Sequence, residues 1–366
     1  MSLFRQISLI LEQKHLLPRF WQSASHFWRA GKGPAAPLAI FLIGVTLLQL
    51  SMQILLNMWN RRFFDALEQR DAHALWVQAE MFIPLAGISA LLAAAAVWGR
   101  MTTQRKWREA LTHHVVERWL KNERFRHLNH FVKGSENPEY RIAVDIRVST
   151  DAPVDLALAL FSSVLTAVAF FGVLWEVGGS LDVTLFGHTL TIPAYLVFGV
   201  IIYSGAMSSL MALTGYRLTG VIESMNQAEA EFRAAVDAFR EDAEHRDSGI
   251  PEAQKRESLW HRLQAVLAVW RTFCWQLVRT TLVSHSNFLI APVIGWLLCV
   301  PKYQSGAMTL GELTQAAAAF VTVQSAFNWL VDNYQRLADW RSSVHRVATL
   351  LLALDEAEAK EAAETR

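Results

Sequence analysis

Carboxylates are scarce in the apolar parts of this 366-residue chain, and the few found near them are its first candidates for chemistry. Glu223, Glu229, Glu231 and Glu241 gather within one helix-prone stretch, and Asp332 stands near the end of the last apolar stretch. A carboxylate taken out of water holds its proton more tightly, so such groups can bind and release protons near neutral pH. Simpler partners are also at hand. Arg233 follows Glu229, and Arg336 follows Asp332, at the i,i+4 spacing of a helix-surface ion pair. His285 lies inside an apolar window, where it serves either as a hydrogen-bonded packing residue or as a proton relay.

Neutral polar residues form the second set. Tyr203, Ser208, Asn287, Gln315, Gln324 and Asn328 interrupt otherwise apolar sequence. Such groups are costly in lipid and therefore either line a cavity or pack helices together. Other chemistries are not expected. Cys274 and Cys299 form no ligand cluster and no disulfide framework, so neither a metal nor a cofactor is expected. The chain holds no GxxxxGK[ST] phosphate loop, whose backbone and lysine would cradle nucleotide phosphates, so it is not expected to be an ATPase or any other enzyme. A formal net charge of +1 leaves no electrostatic footprint for nucleic acid.

The elements that must position these residues are long and apolar. Crossing a hydrocarbon core takes about 20 helical residues, each rising about 1.5 Å. Six windows meet or approach that length: Pro37 to Leu56, Met81 to Val97, Leu156 to Trp175, Ile192 to Leu213, Leu277 to Val300 and Met308 to Val331. Their backbone polar groups must be satisfied within each segment, which makes them helices. The expected fold class is an all-α membrane protein with six transmembrane helices. The last window is the most polar and is expected to face a cavity or a partner helix. Residues 1–36 carry Leu3, Ile7, Ile10 and Leu11, then Leu16, Leu17, Phe20 and Trp21, among basic residues. They read as an amphipathic lead-in at the membrane surface.

Orientation follows from the cations, which stay on the cytoplasmic side. The lead-in has five Lys/Arg against one acid, the connection after the second window has eleven and that after the fourth has eight. The connection Glu176 to Thr191 has none, so both termini are expected in the cytoplasm. The two basic connections are too long for plain loops. Trp107, Leu111, Val115 and Trp119 recur at helical spacing, as do Ile222, Met225, Phe232, Val236 and Phe239. Two helical hairpins, about 101–152 and 215–275, are therefore expected within a transport domain spanning 37–350, followed by a tail, 351–366.

Specific stretches carry a resemblance. LNMWNRRFFDALEQRD from Leu56, WREALTHHVVERWL from Trp107, ENPEYRIAVDI from Glu136, EAEFRAAVDAFREDAE from Glu229 and the run from Thr309 to Val347 are similar to the SbmA/BacA family. They also resemble the transmembrane domains of ABC half-transporters of the peroxisomal fatty-acyl and vitamin B12 or peptide type. The resemblance implies an ABC exporter-like, homodimeric transmembrane domain in the inner membrane. It also implies proton-driven uptake of peptides or peptide-like compounds, with cavity-facing acids taking up the protons. The ATPase-fused relatives instead imply the permease half of an ABC transporter, with peptide, vitamin or fatty-acyl cargo and the ATPase either on a separate chain or in a domain outside this sequence. In that case the turns at Asn137, Pro138 and Gly249 would be coupling turns. The residues His245 to Gln254 depart from the fused relatives' pattern, which weakens docking at the second turn. The expected partners are a second copy, the bilayer, the cargo and, in the ABC case, an ATPase subunit.

Overall fold

A computed structural model describes residues 18–29, 35–126, 138–185, 188–244 and 252–364. The chain is almost entirely helical. Its long helices are α1 (Ala35–Glu68), α2 (Ala72–Leu120), α3 (Ile146–Gly178), α4 (Tyr195–Gly215), α5 (Leu218–Glu244), α6 (Glu252–Gln304), α7 (Leu310–Phe327) and α8 (Trp329–Glu364). Among the described residues, five helical stretches, over α1, α2, α3, α4 with α5, and α6, are long and apolar enough to cross a membrane. Their outward apolar residues have no protein cover: Ile83 and Leu91 are 73% and 72% exposed, and Ile202 and Phe288 are nearly as bare. Water would penalise so large an apolar surface, and a bilayer removes that penalty. The protein is a multi-pass membrane protein.

The sixth apolar window is divided. A turn at Asn328, whose amide bonds the Ser325 carbonyl at 3.2 Å, separates α7 from α8. The chain also contains strands that the helix-only reading lacked. β1 (Ser180–Leu185) pairs antiparallel with β2 (His188–Pro193), from Ser180 opposite Pro193 to Leu185 opposite His188. Leu181, Val183 and Leu185 alternate with polar residues at the period of a strand, so the signal was present but short.

The chain divides into two units: Met1–Gly172 with Thr309–Gln315 and Asp332–Arg366, and Val173–Met308 with Ala316–Val331. In the first, α1 and α2 form an antiparallel pair. Arg70 turns the chain at φ 55°, and Asp71 caps α2 by accepting hydrogen bonds from the amides of His73 (2.9 Å) and Ala74 (3.1 Å). Gly99 lets the helices close, because a Cβ there would stand 2.7 Å from the Phe41 ring. The tightest core lies at the polar end of this unit. Trp107, Leu111 and Val115 of α2, Ile146 and Val154 of α3, and Val344, Val347, Leu351 and Leu354 of α8 are buried there with Phe20 and Ala24. The α8 residues recur at i, i+3 and i+7, the stripe that buries one helix face.

The second unit packs α4 and the coil of α5 against α6. The Gln276 side chain donates to the Thr214 carbonyl, and Lys302 Nζ donates to the Gly178 carbonyl at 2.6 Å, tying the end of α6 to the end of α3, just before the strand pair. Beyond the apolar windows the α5–α6 hairpin leaves Val236, Phe239, Trp260 and Leu267 exposed.

Candidate functional site

The acids named from sequence sit in different surroundings. Glu223 and Glu231 are exposed on α5, where Glu231 accepts from Gln227 Nε2 at 3.0 Å. Glu229 is half-buried and accepts from Trp270 Nε1 on α6 at 3.0 Å. The local Glu229–Arg233 pair expected from spacing gives way to this interhelical bond. Glu241 lies on α5 with its side chain outside the described residues. Asp332 is exposed on the first turn of α8, and Arg336 does not serve it: Arg336 Nη2 reaches Asp155 Oδ2 at 2.5 Å. Asp155 also accepts from Gln104 at 2.7 Å, so it anchors α2 and α8 to α3.

Among the neutral residues, the second unit joins two. Tyr203 OH on α4 donates to Asn287 Oδ1 on α6 at 3.0 Å, and the Tyr203 ring lies 5.7 Å from that of Phe320. Ser208 Oγ and Gln324 Nε2 are buried and find no hydrogen-bond partner among the described residues. His285 lines an open groove of about 490 Å³ with Met211, Thr280, Thr281, Ser284 and Phe288. Asn328 stands at the break in the sixth window. Pro138 is buried at the start of the helical turn leading into α3, and Asn137 and Gly249 lie outside the described residues.

Two polar arrangements escaped the sequence reading. The first is a ladder in the first unit between the end of α1 and the start of α7. Glu68 accepts from the Leu310 amide (2.9 Å), Asp65 from the Gly311 amide (3.0 Å), Glu312 from Arg61 (2.8 Å), and the Gln315 carbonyl from Asn57 Nδ2 (3.2 Å). The carboxylates complement the positive end of the α7 dipole. Asp65, Glu68 and Glu312 were visible in sequence, but nothing local brings them together.

The second arrangement is a clasp at the polar end. Arg19 grips Asp355 through two bonds of 2.5 and 2.6 Å. Arg118 bonds Asp355 at 2.7 Å and Glu358 at 2.9 Å, and Arg124 bonds Glu358 and Glu361, both at 2.7 Å. The i, i+3, i+6 spacing of Asp355, Glu358 and Glu361 in an acid-rich run was the available signal.

The clasp carries a pH dependence. For Asp355 burial opposes ionisation most, yet the bonds from Arg19 and Arg118 outweigh it and hold the carboxyl below its ordinary value. The hydrogen bond from Arg118 lowers Glu358, and that from Arg124 lowers Glu361 to about 2. A carboxylate depressed in the folded state stabilises it fully above the unfolded value and loses that stabilisation as the pH falls through the folded one. The melting temperature should therefore fall as pH drops from about 4.5 toward about 2. Glu361→Gln should lower the neutral-pH melting point and flatten that fall, read by thermal unfolding across the range.

Comparison with known proteins places the chain. The model of the SbmA/BacA-like family matches residues 32–353. The chain belongs to the SbmA/BacA-like family. This SbmA/BacA-like chain is also 26% identical, over 93% of its length, to the inner membrane ABC transporter ATP-binding protein YddA of Escherichia coli (strain K12), covering 61% of that protein. It is 26% identical to an uncharacterized ABC transporter ATP-binding protein of Synechocystis, over 80% of the chain and 43% of the relative. It is 19% identical to ABC transporter D family member 2, chloroplastic, of Arabidopsis thaliana, over 92% of the chain and 46% of that protein. The chain thus spans between 43% and 61% of the lengths of these three relatives.

Proposed function

We propose that this chain is a membrane transporter that moves peptides or peptide-like compounds across the inner membrane by proton-driven uptake. The observation that carries the reading is the family match over residues 32–353 on a multi-pass helical body. In this reading the sixth span is the broken pair α7–α8, both termini are cytoplasmic, and two copies with an ABC exporter-like arrangement enclose the path. The exposed Trp260 and Leu267 on the α5–α6 hairpin, beyond the apolar windows, support a second copy as their cover. Tyr203 and Asn287 offer hydrogen bonds at membrane depth to a peptide backbone, and Glu223, Glu229 and Glu231 on α5 are the candidate proton acceptors. In this reading the residues of this sequence, which hold no GxxxxGK[ST] loop, take no part in ATP hydrolysis.

A second reading is favoured by the relatives' names. There the chain is the permease half of an ABC transporter, working on peptide, vitamin or fatty-acyl cargo with an ATPase that is a separate chain or a domain outside this sequence. The buried Pro138 turn and the turn at Gly249 would then meet that partner.

The test is uptake of a labelled proline-rich peptide into liposomes holding only this chain. Uptake that follows an inward proton gradient and stops with a protonophore is the expected result. Transport only after an ATPase partner and ATP are supplied would establish the second reading instead.

A further inference from the structure

The deepest rung of the α1–α7 ladder leaves oxygen atoms over. Asn57 is 7% exposed and Gln315 is 4% exposed. Asn57 Nδ2 faces the Gln315 carbonyl, which can only accept, so the amide nitrogen is fixed there and Asn57 Oδ1 must point away. That oxygen, Gln315 Oε1 and, one turn along α1, Asn60 Oδ1 meet no donor among the described residues. A buried carbonyl oxygen without a donor is costly, on the order of 1–3 kcal/mol in proteins.

The surroundings add a charge argument. The three rungs next to Asn57 hold one guanidinium, Arg61, against the carboxylates Asp65, Glu68 and Glu312, so one positive and three negative charges leave the ladder net negative. A water molecule could satisfy leftover amide oxygens but would leave that excess untouched. A cation satisfies the oxygens and offsets the charge together. Neutral amide oxygens suit a hard monovalent ion, while a divalent one would draw on carboxylates directly. Those carboxylates are already engaged by Arg61 and the α7 amides.

We propose that Asn57, Gln315 and Asn60 form a binding site for a small monovalent cation, Na+ by its preference for hard oxygen donors, which fastens α7 to α1. The site involves neither the proton candidates on α5 nor nucleotide, so it stands whichever energy source drives transport.

The experiment is thermal unfolding of the purified full chain in NaCl against choline chloride at equal ionic strength and pH, together with direct binding of radioactive Na+. The expected result is a melting temperature that rises and saturates with Na+ but not with choline, with both signals lost in Asn57→Ala and Gln315→Ala. Gln315→Glu, which places a charge at a leftover oxygen and keeps the Asn57 bond to the backbone carbonyl of residue 315, should lower the half-saturating Na+ concentration about tenfold. That variant decides the matter should the alanine variants fail to fold. Identical melting in Na+ and choline, a Na+ response that survives Gln315→Ala, or an unshifted response in Gln315→Glu would overturn the proposal and leave water as the occupant.

Discussion

Arg346→Ala is expected to destabilise the protein by about 3 kcal/mol, measured by thermal or denaturant unfolding in detergent. Arg346 reaches Asp145 through Nε at 2.8 Å and Nη2 at 2.6 Å, a two-pronged grip on a carboxylate that is 1% exposed. Removing the arginine takes both hydrogen bonds from a carboxylate that is 1% exposed, and leaves it the water admitted along the 40%-exposed path of the lost side chain. Asp145 ends the π-helical turn Arg141–Asp145 that leads into α3, and Arg141 from the same turn bonds Thr349 on α8 at 3.0 Å. Loss of Arg346 should therefore loosen the join of α3 to α8 at its centre. The double variant Arg346→Met with Asp145→Leu, which removes both charges, should recover much of the loss. An Arg346→Ala variant as stable as the parent would refute the buried-charge argument.

Gly311→Ala should be at least as damaging, costing about 3 kcal/mol or abolishing expression. A Cβ at Gly311 would fall far inside van der Waals contact of the Arg61 carbonyl oxygen and the Asp65 carboxylate. One of these is backbone of α1, so the clash cannot be relieved by turning a side chain. The helices would part, and the bonds of Glu68, Asp65, Arg61 and Asn57 to α7 would lengthen together. Gly87→Ala supplies the control: nothing lies within 4 Å of that position. It should change stability by less than about 1 kcal/mol, since alanine is the better helix former. Equal melting points for the two variants would show that α1 and α7 do not approach as closely as described.

These two positions show unequally in the sequence. Arg346 and Asp145 are two charges among many, separated by 201 residues, and no periodicity links them. Gly311 lies in a Thr-Leu-Gly-Glu stretch that reads simply as a helix start. The spans were legible because a run such as Ala35–Glu68 declares its environment by composition, whatever it packs against. The partners of Glu229 and Arg336 were misread for the complementary reason. The i,i+4 rule sees only the residue's own helix, whereas Trp270 and Asp155 come from others. The clasp acids Asp355, Glu358 and Glu361 fell within what read only as a tail, 351–366, since their partners Arg19, Arg118 and Arg124 lie over 230 residues away.

The sequence by itself determined that this is a helical, membrane-embedded chain of the SbmA/BacA type, because hydrophobic run length and local motifs are properties of contiguous residues. Only the tertiary structure decided which polar groups meet: Asn57 with Gln315, Tyr203 with Asn287, Arg124 with the tail acids. A polar side chain in an apolar segment must find a partner, but spacing along one helix does not say on which other helix that partner stands.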